Sequence, residues 1–162
     1  MYFNLFLKHK KNLIHYLIIS ISFKNIMKKP LYYYNQSAVI PFRRTENKTE
    51  VLLITSRKKK KWIIPKGIVE PDLLPSESAV KEAFEEAGVR GKISENSIGN
   101  YNQKKWGGLC NVKVYLMEVN VLFETWPEDF RDRKWVSIDD APDQIDNQGL
   151  KKIITKLKSK HD

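Results

Sequence analysis

Glu82, Glu85 and Glu86 stand within five residues of one another. On a helix, spacings of three and four bring side chains together on one face, so Glu82 lies beside both others. Carboxylates that close repel, at a cost of roughly a few tenths of a kcal/mol per pair. A divalent cation removes that repulsion. Hard oxygen donors suit Mg²⁺ or Mn²⁺, and Mg²⁺ is commonly held jointly by carboxylates and a substrate's phosphates. The chemistry this allows is attack of water on phosphorus. By itself the pattern more readily describes a solvated acidic face.

An anionic ligand would find cations close by. Arg57, Lys58, Lys59, Lys60 and Lys61 form one run, and Lys66 follows. Arginine grips phosphate through two nitrogens, while lysine acts as a point charge. Arg57 and Lys66 are the expected contacts, and Lys58–Lys60 would steer anions towards them. The whole chain has 29 Lys and Arg against 19 Asp and Glu, a formal charge of +10. That balance points to phosphate groups, nucleic acid or a membrane surface as partner. A basic nucleic-acid module is disfavoured: there is no basic recognition helix, no RNP-type aromatic strand and no zinc-knuckle cysteines. Cys110 is the single cysteine, which excludes an internal disulfide and a multi-cysteine zinc site and fits a reducing, cytoplasmic compartment.

The elements that must position these groups are readable in outline. The 162 residues suffice for one core. Ser37–Phe42 and Val51–Ser56 read as short strands, and Pro41 suggests an edge or a bulge. Arg43–Glu50 is a polar, hairpin-like loop between them. Ala79, Val80, Ala83, Phe84 and Ala87 recur at helical spacing, with Ser76 as N-cap and Gly88 as stop. Asn111–Asn120 reads as a long strand, with a shorter one around Lys134–Ser137. Leu150, Ile153, Ile154 and Leu157 mark a final amphipathic helix. Strands interspersed with two helices indicate one layered α/β (α+β) domain.

The segment from Gly67 to Val89 resembles the Nudix box, G-x5-E-x7-R-E-U-x-E-E-x-G-U, where U is a bulky aliphatic. Gly67, Glu82, Glu85, Glu86, Gly88 and Val89 match it. Ala83 is smaller than the pattern asks, Leu73 replaces its first Glu, and Lys81 replaces its Arg. Glu77 and Lys81 stand at i and i+4, the favoured order for a helical ion pair, and are expected to substitute for the missing pair. Further similarity to the diphosphoinositol and diadenosine polyphosphate phosphohydrolase branch lies in Thr55–Gly67, Glu70-Pro71, Thr125–Asp129 and Arg133–Trp135.

The resemblance implies an α/β/α sandwich around a mixed sheet, and hydrolysis of a phosphoanhydride bond. It implies Mg²⁺ on Glu82, Glu85 and Glu86, with the Gly67 carbonyl as a further ligand. One glutamate, or Glu118 near the end of the long strand, would serve as base; Glu118 also reads as an ordinary strand-end carboxylate. Arg57 and Lys61 match positions of phosphate-contacting basic residues. Tyr101 and Trp106, read as lying in a loop, could stack a base or simply pack; Trp126 and Trp135 read as structural. The inositol pyrophosphate enzymes carry basic residues where Gln36 and Ser37 stand, which favours a dinucleoside polyphosphate. Alternatives are nucleoside triphosphates, inositol pyrophosphates, 5′-triphosphorylated RNA, and a catalytically weak nucleotide or RNA sensor.

Residues 1–26 carry four lysines and no acid, leaving a net +6 for residues 27–162. The apolar run Leu13–Phe23 is shorter than the ~20 residues a spanning helix needs, so stable membrane insertion is not expected. The segment reads as a misassigned upstream start before Met27, with a targeting peptide or a membrane-surface helix as alternatives. Mass spectrometry of the native N-terminus should find Met27 leading; a Met1 terminus rejects the misassigned start.

Overall fold

The structure is a computed structural model and describes residues 29–158; the expectations for residues 1–26 lie outside the described residues. A 3₁₀ turn at Leu31–Tyr34 leads into β1 (Asn35–Arg44), β2 (Thr49–Thr55), β3 (Trp62–Ile63) and β4 (Lys66–Ile68). Then come helix α1 (Pro75–Ala87), β5 (Val89–Ile93), β6 (Gly99–Lys105), β7 (Gly108–Leu122) and β8 (Arg133–Ser137). A second 3₁₀ turn at Ala141–Gln144 and helix α2 (Gln148–Lys158) complete it. The strands form one sheet in the order β3-β2-β1-β7-β5; β4 also pairs with β1, β6 with β7 and β8 with β2. Only β1 and β7 run parallel, from Asn35 opposite Asn111 to Phe42 opposite Glu118.

Period-two alternation splits the apolar residues between the two faces. Val39, Leu52, Ile54 and Met117 face α1 and pack on Ala79, Ala83 and Ala87. Ala38, Ile40, Val51, Leu53 and Val114 face the other way, towards Leu150 and Ile154 of α2. The result is the expected sandwich of two helices around a mixed sheet.

Two boundary expectations need correction. Pro41 is not at an edge, because β1 is a central strand. On one side β1 pairs with β4 over residues 36–38 and with β2 over 42–44. The Val39 N–H points to that side, donating to the Pro65 carbonyl (3.1 Å). Strand alternation aims the Pro41 nitrogen the same way, into the gap between the two partners, where no ladder bond is lost. Ser76 is not the N-cap either. The cap lies two residues earlier, at Leu74, and the helix begins at Pro75, whose fixed φ suits a first helical position. The Leu74 N–H donates to Glu77 Oε2 (2.7 Å), so the first-turn carboxylate supplies the cap.

Gly88 stops α1 as expected, at φ +62, with its N–H donating to the Phe84 carbonyl (3.0 Å). Arg133 caps the same terminus, donating to the carbonyls of Ala87 (2.9 Å) and Phe123 (2.6 Å), where a cation also suits the helix dipole. Trp126 stacks on that guanidinium at 3.9 Å. A Cβ on Gly88 would lie 2.8 Å from Trp126 and 2.9 Å from Arg133. Gly88→Ala therefore combines left-handed strain with a clash, and urea denaturation should show a loss of about 1–3 kcal/mol.

Candidate active site

Helix α1 delivers its three glutamates to one wall of a cleft of about 900 Å³. Glu82 lies so close to β4 that a Cβ on Gly67 would fall 1.8 Å from its Oε1. Glycine at 67 is thus a steric requirement of that approach. Burial, then the charges of Glu86 and Glu85, push the Glu82 carboxyl up to about 7. Glu86 is buried and raised by the same desolvation, opposed by the backbone N–H of Lys66 (2.9 Å) and by Arg131.

Each of the two outer glutamates meets a cation. Arg131 Nη2 reaches Glu86 Oε1 at 2.5 Å. Lys81 Nζ reaches Glu85 Oε2 at 3.2 Å and Glu70 Oε1 at 2.8 Å. The expected Glu77–Lys81 pair is replaced by this arrangement, because Glu77 is engaged by the Leu74 N–H. Glu70 and Glu85 raise the Lys81 ammonium above its usual range. Lys81 is a link between the α1 helix and the loop before it, and does not line the cleft.

Arg57, Lys61, Lys66 and Trp106 all line the cleft, as do Lys58 and Lys59. Arg57 is paired with Glu128, and Lys61 with Asp146. Lys60 turns away, at φ +50, to the Phe130 carbonyl (3.1 Å). Lys66 is different: its Nζ donates to the neutral amide of Gln36 (3.3 Å), and burial, then Lys105, lower its affinity for a proton. Trp106 and Gly107, at φ +52 and +74, form the two-residue hairpin turn between β6 and β7. Lys105 Nζ lies 4.1 Å over the Trp106 ring, and Tyr34 Oη donates to the Trp106 carbonyl (2.9 Å).

Besides Lys81, two expected site residues take other roles. Glu118 does not line the cleft; near the far end of β7 it pairs with Arg44 at 3.1 Å, half exposed. Distance along the strand removes it from the base role and leaves the strand-end carboxylate. Tyr101 is a β6 residue with 5% exposure, its ring packed in the α2-side core. It forms cleft wall, and its burial leaves no free face for stacking. Arg131, Glu128, Glu70 and Asp146 were not singled out by sequence, since their partners lie 45, 71, 11 and 85 residues away. The resemblance at Glu70-Pro71 and Thr125–Asp129 marks two of these neighbourhoods without giving the side chains a role.

Among the described residues no three His, Cys, Asp or Glu side chains converge as a preformed metal cage. Glu85 and Glu86 are drawn to Lys81 and Arg131. The donor set fits a hard divalent cation nonetheless. Three carboxylates share one cleft wall, and Glu82 is raised by burial and by the charges of the other two, a penalty that a bound cation would offset. Glu82, Glu85 and Glu86 would hold the ion, beside the Gly67 backbone.

The sign of the Glu82 shift sets a pH dependence. Its folded value, about 7, exceeds the ordinary 4.5, so its penalty is absent below about 4.5 and fully developed above about 7. In chelator, Glu82→Gln should gain stability over the parent as pH rises through that window, and differential scanning calorimetry at several pH values reads it.

The NUDIX domain pattern matches residues 34–157. Diphosphoinositol polyphosphate phosphohydrolase 3-beta of Bos taurus is 38% identical over 102 residues, 60% of this chain and 61% of that protein. Nudix hydrolase 21, chloroplastic, of Arabidopsis thaliana is 36% identical over 122 residues, 71% of this chain and again 61% of that protein. The chain thus spans about three-fifths of the length of these relatives. In fold it is similar to the C. elegans Ap4A hydrolase binary complex, with TM-score 0.69 and 22% identity over 77% of this chain and 95% of that one. With that domain pattern covering residues 34–157, the chain belongs to the NUDIX family.

Proposed function

We propose that this protein hydrolyses a phosphoanhydride bond in a polyphosphorylated small molecule, with Mg²⁺ as the metal and a dinucleoside polyphosphate as substrate. NUDIX hydrolases generally use divalent metal ions, and three carboxylates without soft donors favour Mg²⁺, with Mn²⁺ able to replace it. The observation that carries the reading is one cleft lined on one wall by Glu82, Glu85 and Glu86 and elsewhere by Arg57, Lys61, Lys66 and Lys105. When bound, the metal supplies charge neutralisation at the phosphate oxygens and a more acidic water.

The chain's own residues then do the rest. Lys66 and Lys105, which have no carboxylate partner among the described residues, hold substrate phosphate. Arg57 and Lys61 add a second cationic contact on the opposite loop. Among the described residues no ion pair engages Glu82, so its carboxylate is available to take a proton from the attacking water. The water oxygen bonds to phosphorus, the bridging P–O bond breaks, and the proton leaves with the released phosphate. Trp106 offers a ring at the cleft for a base.

A second substrate reading has its own support. The bovine relative acts, by its name, on diphosphoinositol polyphosphates. Gln36 is uncharged, but it holds the Lys66 ammonium in the cleft. Lys66 therefore brings positive charge beside Gln36, one of the two uncharged positions on β1 that favour the nucleotide.

The test is a product-resolved panel with Mg²⁺: dinucleoside polyphosphates, nucleoside triphosphates, an inositol pyrophosphate and triphosphorylated RNA. Dinucleoside polyphosphate cleavage is expected to dominate and to fall on the order of 100-fold or more in Glu86→Gln. Dominant cleavage of the inositol pyrophosphate would move the substrate and keep the chemistry. Binding without turnover on every member would replace the enzyme by a nucleotide sensor.

A further inference from the structure

Arg131 is the most buried of the charged residues at the cleft, with 5% exposure. Its guanidinium uses all three nitrogens. Nη2 pairs with Glu86 (2.5 Å), Nε with Glu128 Oε2 (2.7 Å), and Nη1 with the Thr55 carbonyl (2.8 Å). Glu128 in turn holds Arg57. The result is an alternating chain, Arg57–Glu128–Arg131–Glu86, that runs from the basic loop after β2 to the glutamate helix. The second oxygen of Glu86 accepts the Lys66 N–H (2.9 Å). Both carboxylate oxygens are therefore engaged by donors on fixed backbone or on a buried fork, and each retains a lone pair.

A buried arginine in this position has two readings. It either competes with a bound cation for Glu86, or it fixes the carboxylate in one orientation. The Thr55 carbonyl decides between them. It anchors Nη1 to β2, and Glu128 anchors Nε, so release of Glu86 would leave two of three contacts in place and gain the guanidinium no new partner. Groups that hold a ligand from behind typically change metal affinity by about 10- to 100-fold when removed.

We infer that Arg131 is a positioning residue that fixes the Glu86 carboxylate for a divalent cation while Glu128 ties the same guanidinium to Arg57. The inference rests on the reading of Glu82, Glu85 and Glu86 as metal ligands.

The test uses Mn²⁺ as probe, followed by electron paramagnetic resonance, on the full chain. Arg131→Met should weaken Mn²⁺ binding about tenfold or more. Arg131→Lys keeps the charge but has one nitrogen for three acceptors, so it should recover thermal stability more than Mn²⁺ affinity. Unchanged or tighter Mn²⁺ binding in a folded Arg131→Met overturns the inference and makes Arg131 a competitor. Should both variants fail to fold, the parent protein still answers. Its Arg131 Nη2 protons, which donate to Glu86, should remain slow to exchange with water when Mg²⁺ saturates the site; loss of that protection overturns the inference. A parent protein that binds no Mn²⁺ at all overturns the metal reading itself, and this inference with it.

Discussion

Three carboxylates held at one cleft wall constrain almost everything around them. Glu86 is buried and Glu82 half-buried, so neither is fully screened by water. Burying an ion without a partner is among the costlier things a fold can do. The surrounding sequence can be read as the means of managing that charge. Arg131 meets Glu86, Lys81 meets Glu85, and the Lys66 N–H donates to Glu86 again. Glu82 receives no such partner, and burial together with the charges of Glu86 and Glu85 makes its carboxyl hold its proton more tightly. A fold concerned with stability alone would have neutralised it.

The pairing of cations and anions also divides the cleft. Arg57 and Lys61 reach it already matched to Glu128 and Asp146, both solvent-facing contacts of modest worth. Lys66 and Lys105 reach it with a neutral amide and an aromatic ring as their partners. Unneutralised positive charge thus collects near β4 and the β6–β7 turn, while unneutralised negative charge collects at Glu82. A ligand that satisfies both must carry anionic oxygen and accept a cation alongside it. Polyphosphates with a divalent metal have that composition; a neutral sugar or a simple ester does not.

Local regularities in the chain disclosed much of this and failed in identifiable places. Helix α1, its glutamate face and its Gly88 stop follow from spacing within fifteen residues, and all three are present. Strands β5 and β6 were not anticipated. The β6 run Gly99–Lys105 is mostly polar and exposed, with Tyr101 as its main buried anchor, so it lacks the alternation that marks a strand. Tyr101 was placed in a loop for the same reason. Pro41 misled because a missing N–H normally marks an edge, whereas here β1 changes partner at that point. Arg131 escaped notice because nothing local distinguishes a buried arginine from a surface one; its three partners come from β2, α1 and the loop before β8.

Lys81 shows how a departure from a motif can be absorbed by packing. With Leu73 at the expected acidic position, a helix-only view left Glu77 as the natural partner. Glu77 instead caps α1, where a first-turn carboxylate meets unsatisfied backbone N–H groups and the positive end of the dipole. Lys81 is then free to bridge Glu70 and Glu85. A single ammonium in that bridge ties the loop between β4 and α1 to the helix that carries the three glutamates. The same bridge holds Glu85 at its outer edge. An arginine in its place would offer a rigid two-pronged contact, while lysine offers one mobile charge. The substitution therefore loosens the hold on Glu85 without removing it, and the tighter constraint on the glutamate set passes to the buried fork of Arg131 on Glu86.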